Sequence, residues 1–174
     1  MKRNTIAVFI VLMATLALAQ GARVLKGHGI KKLSVFIGKW RSETLVNGKS
    51  QGTAAISACR WSGNGNYMIA DQMVTNGNAK TNNLSIYSYE AATDSYKLSI
   101  VGAPGMAPFS INMVCKGDEL IYLGNYTDDK GKKIYTRTLN DFVSPGYYTF
   151  KVQSSPDSST WATSLEGRSV KISN

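Results

Sequence analysis

The sequence predicts an all-β protein: a closed antiparallel up-and-down β-barrel of about ten strands, preceded by a short helix. Three observations carry this. From Trp40 to the C-terminus apolar and polar residues alternate with a period of two. Turn-forming clusters such as Asn47-Gly48 recur at short, regular intervals along the same stretch. Ten meandering strands left open would also bare two edges, and closing the sheet removes both.

The first residues read as an export signal. Lys2 and Arg3 precede an apolar run from Ile6 to Leu18, and Ala17-Leu18-Ala19 supplies a small-x-small cleavage pattern. The run is shorter than the roughly 20 residues a spanning helix needs, so no transmembrane segment is expected after cleavage. Residues 1–19 are thus assigned to the signal and 20–174 to a single barrel domain, exported to the periplasm or the medium.

Ile30, Leu33, Phe36 and Ile37 form the apolar stripe of a short helix, and Gly38 ends it. Strands are expected over 40–46, 50–61, 67–75, 84–89, 96–101, 109–115, 119–126, 134–142, 147–153 and 161–172. The longest connection, Gly102 to Pro108, is apolar and carries two prolines. A loop of that kind is expected to border a cavity mouth.

Twenty basic and eleven acidic residues give a net charge of +9, or +7 once the signal is removed. The positive side chains are scattered, which argues against a nucleic-acid partner and leaves weak contact with an anionic envelope surface. Cys59 and Cys115 enter an oxidising compartment where pairing is permitted. Opposite walls of a packed barrel stand about 10 Å apart, which weighs against a disulfide. Two isolated cysteines and the single histidine, His28, make neither a zinc site nor a nucleophilic triad. No catalytic residue, metal or cofactor is assigned.

Several short motifs carry a family resemblance. Leu33 to Trp40 reads Leu-x-x-x-x-Gly-x-Trp, Cys59-Arg60-Trp61 precedes a Gly-rich turn, and Tyr89 to Tyr96 forms a Tyr-Glu-x-x-Thr-x-x-Tyr hairpin. With Arg168 on the last strand, the chain resembles the lipocalin-like (calycin) barrels, in particular a group of secreted bacterial proteins with no assigned activity. The resemblance implies that Gly38, Trp40 and Arg168 are architectural, with the Arg168 guanidinium stacked on the Trp40 ring.

A small hydrophobic or amphiphilic ligand inside the barrel is the leading expectation. Candidate contacts are Tyr87, Tyr89 and Tyr122 as apolar bodies with a polar tip, and Phe109 and Met113 on the dry face of their strand. Met106 is placed at the entrance, Arg137 as a carboxylate partner, and Asp71 as an interior polar group. Two alternatives stand beside it: a filled core in a structural or envelope-interaction protein, and a barrel enzyme acting on a lipid-like substrate.

Overall fold

The computed structural model describes residues 23–102 and 107–174. The export signal and Met106 lie outside them. A 3-10 helix, Gly29–Phe36, is followed by β1 (Gly38–Val46), β2 (Lys49–Trp61), β3 (Met68–Asn76), β4 (Ala79–Glu90) and β5 (Ser95–Val101). Then come β6 (Phe109–Lys116), β7 (Glu119–Thr127), β8 (Lys133–Ser144), β9 (Tyr147–Ser155) and β10 (Ala162–Ser173). Each strand pairs antiparallel with its neighbours in sequence, and β10 pairs back onto β1, closing the barrel.

The local chemistry explains the elements. Asn47 and Gly48 both take positive φ, 51° and 75°, which a two-residue hairpin turn requires. The stripe Ile30, Leu33, Phe36 has a spacing of three, and that is the period of a 3-10 helix, whose residues i and i+3 eclipse. One strand differs from the sequence reading by more than two residues at an end. β4 begins at Ala79, five residues before the apolar alternation starts at Leu84, because Lys80 to Asn83 pair with β3 beyond any buried face.

One end of the barrel is packed solid. Leu33 and Phe36 descend from the helix onto Met68, Tyr96, Met113 and Leu120, each of these four no more than 1% exposed. Burying side chains of this size contributes about 1.5–3 kcal/mol apiece. The Asp118 carboxylate holds the chain ahead of the helix, with Oδ1 accepting from the backbone N–H groups of Val24 and Leu25 at 2.7 and 2.9 Å. The Tyr96 hydroxyl donates to the Gly29 carbonyl at 2.9 Å.

Trp40 seals this end, 1% exposed, and its Nε1–H donates to the Phe36 carbonyl at 2.7 Å. Gly38 is required beside it: its φ is +113°, and a Cβ there would overlap the Ser173 carbonyl. The expected Arg168–Trp40 stack is not formed. The cation over the indole is Lys171, with Nζ 5.2 Å from the ring centroid. Register is the reason. Trp40 stands opposite Lys171, while Arg168 stands opposite Glu43. Alternation therefore puts buried Gly167 and Ser169 on the inner face and Arg168 on the outer one. There Arg168 donates from Nε and Nη2 to Glu43 Oε2 at 3.1 and 2.9 Å. Those hydrogen bonds hold the Glu43 carboxyl below its ordinary value.

Candidate functional site: a neutral internal cavity

Above the sealed end the barrel is hollow. A cavity of about 370 Å³ lies between the strands, within the roughly 300–1,000 Å³ of small-molecule pockets. Its shape follows from an uneven distribution of side-chain size. On the β1–β4 side the inward residues are short, among them Ser42, Ala55, Ser57, Ala70 and Ser85. On the β7–β9 side they are large, with Tyr122, Tyr148 and Phe150 reaching inward. Short side chains stop before the barrel axis, so space remains along their wall.

The floor is aromatic. The Phe36 ring sits edge-on to Phe142 at 5.0 Å and to Tyr148 at 5.9 Å, and stacks on Tyr87 at 6.3 Å. Phe36 thus plugs the barrel from the helix side. The cavity extends away from this floor toward the end that bears the β1–β2, β3–β4, β5–β6, β7–β8 and β9–β10 connections.

The lining is polar in places and uncharged throughout. No Asp, Glu, Lys, Arg or His lies among the described residues that line it. Its titratable groups are a thiol and phenols, all held protonated. Burial pushes the Cys59 thiol up to about 11. Burial likewise raises Tyr87, Tyr122 and Tyr148 above the usual phenol range. Gln72 Nε2 donates to Ser57 Oγ at 3.1 Å. Asn140, only 6% exposed, also lines the space, and none of the hydrogen bonds among the described residues occupies its side-chain amide.

The structure sorts the sequence-derived candidates. Tyr87 and Tyr122 line the cavity. Phe109 shares the inward phase of cavity-lining Ile111 one step nearer the open end, where it is 42% exposed. Met113 is not near the mouth: it is fully buried in the packed end, opposite Tyr96. Tyr89 also belongs to that end, with its ring against Gly29 and its hydroxyl donating to Asp94 Oδ1 at 2.9 Å.

Two candidates point outward. On β3 the inward phase is Met68, Ala70 and Gln72, so Asp71 faces solvent and pairs with Arg60 of β2. On β8 the inward phase is Thr138, Asn140 and Phe142, so Arg137 lies outside. Its guanidinium covers the Trp161 ring at 4.1 Å and donates to Gln153 at 2.7 Å. Neither residue can hold an interior carboxylate or polar head. Met106 falls outside the described residues, but the strand ends flanking its connection, Val101 and Phe109, are exposed at the open end.

The inward polar residues Gln72, Ser85, Thr138, Asn140 and Tyr148 were not singled out by sequence reasoning. A signal for them existed on β8, where the phase of Phe142 carries back to Asn140 and Thr138. Cys59 and Cys115 are both free thiols. His28 is exposed ahead of the helix. A wider hollow of about 500 Å³ lies on the outer face between Ile56, Met73 and Leu84, open to solvent. Among the described residues no group of three or more metal-ligating side chains occurs, and no helix is long and apolar enough to cross a membrane. Fold and cavity together define a closed all-β barrel with a hollow, uncharged interior. No family model and no curated protein matches the chain.

Proposed function

We propose that this chain is an exported lipocalin-like binding barrel that carries a small, largely apolar molecule in its interior. The observation that carries the reading is the 370 Å³ cavity, which stands on an aromatic floor at one end and runs toward an open end ringed by exposed apolar residues. Phe109 and Leu165, 42% and 40% exposed, are the side chains an entering apolar molecule meets first. Scattered surface lysines, in a chain of net charge +7 once the signal is removed, hold such a carrier near anionic envelope surfaces.

The test is a titration with N-phenyl-1-naphthylamine, an uncharged fluorescent probe, followed by native mass spectrometry of protein purified from its own host. Saturable one-to-one binding, with a co-purifying small molecule, is the expected result. A probe signal that rises linearly without saturation, and a bare protein mass, would count against carriage.

A further inference from the structure

Resting on the cavity-binding reading, we infer that the ligand is uncharged and carries a hydroxyl or carbonyl oxygen, which the Asn140 amide receives. Two independent observations lead there. The first is electrostatic. The described lining offers no cation for a carboxylate or phosphate and no carboxylate for an amine. An ion drawn into such a space loses its hydration with nothing to replace it, and that cost outweighs the gain from burying a short alkyl chain. Lys171, the cation of the sealed end, lies against the Trp40 ring and is not part of the lining. Arg137, the one Arg that sequence reasoning placed inside, is engaged with Trp161 and Gln153 on the outer surface.

The second observation is an unspent polar group. Asn140 is 6% exposed, its amide meets no protein partner among the described hydrogen bonds, and it borders the cavity. Among the described residues no fully buried polar side-chain atom lacks a partner, so the unbonded atoms of this amide open onto the cavity, where a ligand that enters can meet them. An amide presents an N–H donor and a C=O acceptor together, and a ligand hydroxyl can answer both. The Tyr87–Tyr122 pair adds to the selection. Both phenols line the cavity and keep their protons, and each can donate its O–H to an acceptor oxygen on the ligand. Size narrows the class further. At about 30 Å³ per water-sized group, 370 Å³ holds about a dozen such groups. A medium-chain alcohol or a small ketone fits this description, and a long-chain lipid does not.

The experiment compares three ligands that share one alkyl chain. Decan-1-ol, decanoate and decylammonium each compete with N-phenyl-1-naphthylamine at pH 7.5, on wild type and on Asn140→Leu and Tyr122→Phe. Decan-1-ol should displace the probe at a concentration at least about tenfold lower than either ion. Each substitution should weaken decan-1-ol by about three- to tenfold relative to the probe's own affinity for the same variant, the loss of one hydrogen bond. Two variants are used so that misfolding of one, read by circular dichroism, leaves the other to decide. Equal or better displacement by decanoate or decylammonium would overturn the uncharged class while leaving carriage intact. Displacement by none of the three would overturn it as well. Failure of the probe itself to bind would bring down the carriage reading and this inference together.

Discussion

Replacing Ala70 by Leu separates a hollow barrel from a filled one. Ala70 is 4% exposed, faces the cavity from β3, and stands between Cys59 and Ser85 on the neighbouring strands, both of which also line the space. Leu adds three carbon groups. At about 0.8 kcal/mol per buried methylene they contribute about 2.4 kcal/mol. Ordering the Leu side chain takes back about 0.5–1 kcal/mol, so the net stabilisation is about 1.5 kcal/mol. For a domain of this size that raises Tm by about 3–6 °C. Calorimetry and urea unfolding read the change in stability, and the naphthylamine titration, expected to weaken at least about tenfold, reads the lost volume. In a solid interior the same three carbons would overpack and cost about 1–3 kcal/mol. A fall in Tm of several degrees with unchanged probe binding would therefore refute the cavity.

Trp40→Phe should cost about 2–4 kcal/mol by urea unfolding, since it strands the Phe36 carbonyl and replaces the indole beneath Lys171 with a smaller, weaker ring. Arg168→Ala should cost no more than about 1 kcal/mol, because the guanidinium it loses is 42% exposed, and the opposite ranking would restore Arg168 as the latch. Stability should also decline in alkali. The folded state keeps the Cys59 proton up to about 11, whereas an unfolded thiol loses it near 9.0, so the stabilisation is complete below pH 9 and drains away between the two values. The loss amounts to at most about 2.7 kcal/mol, and the raised phenols of Tyr87, Tyr122 and Tyr148 extend it to higher pH. A urea midpoint unchanged from pH 8 to 10.5, or one equally steep in Cys59→Ala near pH 9.5, would contradict this. Finally, Asp118→Ala should release the segment ahead of the helix, seen as loss of hydrogen-exchange protection at Val24 and Leu25 with little change elsewhere.

The strands were legible because period-two alternation and turns such as Asn47-Gly48 are local signals, each confined to one hairpin. The first residues of β4 were not, because Lys80 to Asn83 are polar on both faces and pair only by continuing the register of β3. Alternation also says that two faces exist without saying which is inside. Asp71 and Arg137 share their strand faces with apolar neighbours, Ile69 and Met73 for one and Tyr135 for the other, and such company suggests an inward face. On the barrel those apolar neighbours belong to the outer surface, and the inner phase is carried by smaller or more polar residues such as Ala70 and Asn140. The Trp40 latch failed for a related reason: resemblance pointed to the one arginine of the last strand, but a register fixed by β1–β10 pairing put Lys171 opposite the indole.

The β1–β10 seam sets the timing of folding. All the other strand pairs join neighbours in sequence and can zip up as soon as both strands are available. At the seam, by contrast, Glu43 must find Arg168 across 125 residues and Ser42 must find Ser169 across 127. Contacts so distant form late, since the chain entropy of bringing them together must be overcome before they yield anything. Until the last strand arrives, β1 waits with an unsatisfied backbone edge, able to recruit a strand from another copy of the chain. The Glu43–Arg168 pair and the Ser42–Ser169 hydroxyl contact at 2.6 Å act as register pins at that final closure, and weakening them favours tangled oligomers over unfolded monomers.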